Sequence, residues 1–207
     1  MNYTTCSFRH AEIILQEPRF SAQYNEITAV LTGITDDDII TKHESYSNTP
    51  KSISRVINDL LKERFLALNW SSESPIFQHS DYTGETWRLD FAKADLSIEV
   101  AFNHSTVIAW NLIKPVLASE LNHVQKAIQT KIGIVITATQ NMKVLGGFDG
   151  AVGTFEKFVD YLPPLQNLLT VPLLINGLEP PTSFKITHCQ PELRKTIGQV
   201  IRYDNNE

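Results

Sequence analysis

Residues 87–102 read W-R-L-D-F-A-K-A-D-L-S-I-E-V-A-F, and this stretch decides the fold. WRLDF (Trp87 to Phe91) and DLSIEVAF (Asp95 to Phe102) are short β-rich runs separated by Ala92, Lys93 and Ala94, a spacing that predicts an antiparallel hairpin. Each run carries a carboxylate among apolar residues, Asp90 near the end of the first and Glu99 within the second. The hairpin can set these two side by side at one end of a sheet. Carboxylates in apolar strands repel each other, and burying them unpaired is costly. A divalent cation resolves the conflict. Hard oxygen donors suit Mg²⁺, which binds through one or two carboxylates together with water and substrate phosphate. Such a pair supports phosphodiester hydrolysis. The same pattern also fits a solvated strand end, or ion pairs with Arg88 or Lys93, and the residues alone leave these readings open.

Upstream, Ile13, Ile14, Phe20, Tyr24, Ile27 and Leu31 recur at roughly helical spacing. Pro18 divides them into a short first helix and a second from about Arg19 to Leu31, with Gly33 as the stop. The acids Asp36, Asp37 and Asp38 and the loop KHESYSNTP follow. Pro50 opens a strong amphipathic helix whose stripe is Ile53, Val56, Ile57, Leu60, Leu61, Phe65 and Leu68, with Lys51, Arg55, Asp59, Lys62 and Glu63 opposite. The pattern breaks after Trp70, at SSESP.

Downstream, Pro115 is expected to start a helix with Leu117, Leu121, Val124 and Ile128 on one face. IGIVITA and VPLLING read as strands buried on both sides. Between them, the Gly-rich loop from Gly146 to Gly153 precedes a helix carrying Phe155, Phe158, Val159 and Leu162. The segment 180–207 is polar and is expected to be a peripheral tail. The simplest architecture is α/β, a mixed β-sheet flanked by helices.

Composition bounds the function. The 207 residues include 18 Lys plus Arg against 23 Asp plus Glu, a net charge of −5, with 42% hydrophobic and 20% charged residues. This is ordinary globular composition and excludes a disordered chain. No apolar run approaches the length of a membrane span. The start MNYTTCSFRHAEIILQ lacks the basic and apolar regions of a secretory signal, so a cytoplasmic protein is expected. Cys6 and Cys189 cannot by themselves build a metal cluster or a disulfide scaffold, and the histidines lack zinc-ligand spacing.

The chain resembles the BglII and BstYI group of type II restriction endonucleases. HAEIILQEPRF and YNEITAVL look like that group's opening helices, and the helix ending FLALNW looks like the one before its catalytic hairpin. DFAKADLSIEVAF looks like its metal-binding hairpin, and KIGIVITA and VPLLINGL look like its later core strands. The resemblance implies one nuclease domain over 1–207, with N-terminal helices at 8–70, a catalytic hairpin at 87–103 and a restriction-endonuclease-like core of the PD-(D/E)xK type. It implies a homodimer acting on double-stranded DNA at a short palindrome, and it suggests a site centred on GATC. Asp90, Glu99 and the carbonyl of Val100 would hold Mg²⁺.

One departure matters. Two residues after the second acid, relatives place a Lys, Glu or Gln that orients the attacking water, and here stands Ala101. Glu73, Lys93 and His104 are the candidates to replace it. For reading bases, the candidates are Asn103 and His104 after the hairpin and Asp149 in the Gly-rich loop, which could accept from a cytosine amine. Two other readings remain: a DNA-binding relative with impaired cleavage, motivated by Ala101, and an α/β protein whose acid pair is only structural.

Overall fold

A computed structural model describes residues 1–78, 81, 84–120, 129–192 and 195–203. Its centre is a six-stranded mixed sheet built from β1 (Tyr3–Phe8), β2 (Ser71–Pro75), β3 (Arg88–Lys93), β4 (Leu96–Val100), β5 (Ile132–Ala138) and β6 (Leu173–Leu178). The strands lie in the order β1-β6-β5-β4-β3-β2. The β4–β5 and β5–β6 pairs are parallel, whereas β1–β6, β2–β3 and β3–β4 are antiparallel. Every residue of β5 and β6 is buried, as the unbroken apolar runs require.

Helices cover both faces. One face carries α1 (Ala11–Leu15), α2 (Ser21–Gly33), α3 (Asp36–Ser45), α4 (Ser54–Ala67) and α6 (Gln140–Leu145). The other carries α5 (Ile108–Glu120) and α7 (Phe155–Leu165). The alternation of β5 sorts the two cores: Ile132, Ile134, Ile136 and Ala138 face the first set, and Val135 faces the second. The stripe of α4 is buried as expected through Val56, Ile57, Leu60, Leu61 and Phe65. The Phe65 ring meets Trp70 at 5.3 Å and Phe91 of β3 at 4.9 Å between centroids. Glu26 of α2 then ties this corner, accepting from Trp70 Nε1 at 2.8 Å and pairing with Lys93 Nζ at 2.8 Å.

Several elements differ from the sequence expectations, each for a physical reason. The acids at 36–38 are the first turn of a helix. Thr35 and Asp38 form a reciprocal capping box, and negative charge is favourable at a helix N-terminus. SSESP is the edge strand β2, formed because β3 offers it a partner. The helix expected from Pro115 begins at Ile108 and holds Pro115 in its interior. Leu121, Val124 and Ile128 lie outside the described residues. The polar tail contains a hairpin, β7 (Phe184–Glu192) paired antiparallel with β8 (Lys195–Arg202). Phe184 and Ile186 are its buried, alternating face and join the larger core.

Phe65→Ala removes the ring that joins α4, Trp70 and β3. It should cost about 3–5 kcal/mol of stability, read as a lower urea midpoint.

Candidate active site

The site forms where strands part. Pairing of β3 with β4 runs from Lys93↔Leu96 to Phe91↔Ile98, and the next step would set Asp90 opposite Glu99. There the ladder gives way to a side chain: the Val100 N–H donates to Asp90 Oδ2 at 2.6 Å. On its other edge β4 stays paired with β5 through Glu99↔Val135 and Val100↔Ile136. Across β2, Ser72 pairs with Phe91 and Ser74 with Leu89. Glu73 falls between them in a left-handed conformation, φ 51°, at the level of Asp90. Non-glycine residues adopt that conformation only where their surroundings impose it. The sequence therefore brings three acids to one level of three neighbouring strands.

The two inner acids sit in different surroundings. Glu99 is 1% exposed and ion-pairs through Oε2 with Lys114 Nζ of α5. Lys114 is itself buried and also donates to the Arg88 carbonyl at 3.1 Å. Glu99 Oε1 is buried with no hydrogen-bond partner. Burial first, and then repulsion by Asp90, push its carboxyl up to about 8, against the opposing pull of Lys114. The Asp90 carboxyl is also raised, chiefly by burial and further by Glu73, while the Val100 amide and Lys114 pull it down.

In front of Asp90 lies a cleft of about 250 Å³, lined by Asn58, Asp59 and Lys62 of α4, Ser72 and Glu73 of β2, Asp90 and Phe91 of β3, and Val100. Glu73 thus stands beside Asp90 as the sequence suggested. The other two candidates for the work of position 101 are committed elsewhere. Lys93 Nζ bonds both Glu26 oxygens and the Leu68 carbonyl, each at 2.8 Å. His104 Nδ1 caps the short turn that starts α5 by accepting from the Thr106 N–H at 3.2 Å. Ala101 is buried with Ile108, Leu112 and Val135, where a longer polar side chain would be desolvated.

Asn103, His104 and Asp149 come together away from this cleft. His104 bridges Val152, the Gly153 N–H donates to the Asn103 carbonyl at 3.0 Å, and the Ser105 N–H donates to the Ala151 carbonyl at 2.8 Å. The Asn103 Oδ1 already accepts from Asn111 Nδ2 at 3.0 Å. Asp149 is largely exposed, and its carboxyl is held low by the Ala151 amide and, more weakly, by Lys51, His104 and Lys143.

The role of Lys114 was not anticipated from the sequence. Its signal was a lone charge within the apolar run N-L-I-K-P-V-L. The contribution of Asn58 and Lys62 had no signal beyond their one-turn spacing on the polar face of α4.

These residues fit a hard divalent cation. Among the described residues no three His, Cys, Asp or Glu side chains converge into a metal cluster. The neighbouring Asp90 and Glu99 carboxylates nevertheless offer the hard oxygen donors that such a cation accepts. The partnerless Glu99 Oε1 and the raised carboxyls mark a place where added positive charge is favourable.

A mixed sheet that opens at two acids, with helices on both faces, is an α/β fold with a cleft at a strand end. The crystal structure of the restriction endonuclease BglII complexed with a DNA 16-mer superposes with a TM-score of 0.65 at 20% identity, covering 98% of this chain and 100% of that one. Free BglII gives a TM-score of 0.56 at 19% identity with the same coverage. No curated protein sequence matches the chain. The family model for restriction endonuclease BglII/BglIII matches residues 3–178, and the chain belongs to that family of type II site-specific deoxyribonucleases.

Lys114→Met leaves Glu99 buried without its counter-charge and should cost about 3–5 kcal/mol in urea unfolding. The double change Lys114→Met with Glu99→Met should recover most of that loss. A single variant as stable as the wild type would mean that the pair does not form in solution.

Proposed function

We propose that this chain is a Mg²⁺-dependent type II restriction endonuclease, a single nuclease domain that acts as a homodimer on duplex DNA. Its site would be a short palindrome centred on GATC, and it would work in the cytoplasm. The observation that carries the reading is Glu99: a buried carboxylate with one oxygen paired to Lys114 and the other left over, beside Asp90 where the strands part. Among the described residues no helix is long and apolar enough to cross a membrane. A relative of the same fold and family is known complexed with DNA, which supports a DNA substrate here.

In this reading Asp90 and Glu99, with the Val100 carbonyl, hold the cation. The cation, when bound, lowers the pKa of a water and neutralises charge on the phosphate. Lys114 fixes the Glu99 side chain so that Oε1 is presented in one orientation. The Val100 amide does the same for Asp90 by engaging Oδ2. Glu73 borders the cleft, where its carboxylate can accept a hydrogen bond from the attacking water. Attack on phosphorus breaks the bond to the 3′ oxygen, leaving a 3′ hydroxyl and a 5′ phosphate. Asn103, His104 and Asp149 form the surface proposed to read base edges, with Asp149 the natural acceptor for a cytosine amine. A two-fold dimer would match a palindrome and place one site on each strand.

Incubating unmethylated plasmid and a GATC-containing duplex with the protein and Mg²⁺ tests the reading. Discrete fragments are expected, lost with EDTA and in Asp90→Ala and Glu99→Ala. Binding without fragments would favour the impaired relative that Ala101 suggests, and neither binding nor cutting would leave the acid pair structural.

Burial pushes the Glu99 carboxyl up to about 8, so a cation at this site would compete with protons for it. Apparent Mn²⁺ affinity in titration calorimetry should therefore rise with pH from the ordinary carboxylate range to about 8 and flatten above it. Affinity independent of pH over that window would place the cation elsewhere.

A further inference from the structure

We propose that Lys62 of α4 is the catalytic cation of this chain, its ammonium contacting the scissile phosphate and the attacking water in place of the group missing at Ala101. The inference rests on Asp90 and Glu99 being the reacting site.

Two other lysines of this region are already spent. Lys93 is fixed by Glu26 and the Leu68 carbonyl, and Lys114 is buried behind the sheet against Glu99 and the Arg88 carbonyl. Lys62 is exposed, lines the cleft with Glu73, Asp90 and Val100, and is held by no hydrogen bond or ion pair among the described residues. It is also the one basic side chain among the described residues that line the cleft.

The cleft needs such a group. Asp59, Glu73 and Asp90 give it a negative wall, and a phosphodiester entering it meets repulsion that one bound cation only partly offsets. Asp59 accepts from the Tyr46 hydroxyl, so it is not a competing partner wholly free to capture Lys62. An ammonium on a flexible four-carbon stem offers three donors, enough to bond a phosphate oxygen and a water together. The helix that carries it is anchored, because Leu61 and Phe65 of α4 are buried in the core. Position 101 cannot supply the group without burying a charge among Ile108, Leu112 and Val135.

The test uses the full chain with a cleavable duplex. Lys62→Met and Lys62→Arg are compared with the wild type in single-turnover cleavage at saturating protein, in duplex affinity with Ca²⁺ replacing Mg²⁺, in Mn²⁺ binding, and in thermal melting. Lys157→Ala, on the exposed side of α7, serves as the control with unchanged rate. Lys62→Met should lower the cleavage rate about hundredfold or more, the usual scale for removing a positioned proton-transfer or charge-stabilising group. Mn²⁺ affinity and melting should stay at wild-type values, and Lys62→Arg should regain at least about tenfold of the lost rate. A rate within about threefold of the wild type would overturn the proposal while leaving the nuclease reading intact. So would a loss confined to duplex affinity, or one that follows lost Mn²⁺ binding. A wild-type protein that binds duplex without cutting would overturn both.

Discussion

A carboxylate sealed inside a sheet must be compensated, and the compensation of Glu99 organises everything near it. The side chain is presented by β4, whose pairing with β5 continues past it, so its backbone is fixed. Its charge is met by Lys114 from a helix on the opposite side of the sheet from α4. That helix therefore packs with a lysine turned inward, and its N-terminal turn is set by the His104 cap and the Asn103 to Asn111 contact. Removing one partner leaves a buried charge, whereas removing both leaves only shape to repair. The ion pair is thus less a source of stability than a constraint on where α5 and β4 lie.

The second determinant is where hydrogen bonding stops. Backbone groups in a sheet interior are normally satisfied by neighbouring strands. At Asp90 the ladder to β4 ends and the Val100 amide turns to a side chain, and at Glu73 the ladder to β2 is interrupted by a left-handed residue. Both breaks fall at one level, and they open the cleft that α4 then roofs with Asn58, Asp59 and Lys62.

Much of this was legible in the chain. The hairpin, the buried strands β5 and β6 and the stripe of α4 follow from periodicity, and the juxtaposition of Asp90 and Glu99 is one of the readings that the hairpin left open. The missed elements share a cause: their ordering depends on partners distant in sequence. β1 and β2 are edge strands with modest apolar content, and they pair because β6 and β3 are there. The β7–β8 hairpin hides two buried residues among polar ones. The start of α5 was misplaced because Pro115 suggested a first turn, whereas it packs in mid-helix where Gly133 lacks a side chain; a Cβ there would fall 2.5 Å from the Pro115 ring. Within the site, Lys93 was not distinguishable from a free lysine until Glu26, far away in sequence, stood beside it.

The residues just before α4 carry a further meaning. The Ile53 N–H donates to the Gly146 carbonyl at 3.1 Å, Lys51 reaches Asp149 at 3.8 Å, and the Pro50 carbonyl accepts from the Gly198 N–H at 2.9 Å. This short segment fastens the Gly-rich loop and the C-terminal hairpin to the root of the helix that roofs the cleft. Because one segment carries all three contacts, the Gly-rich loop, the C-terminal hairpin and the root of α4 cannot be displaced from one another without breaking them.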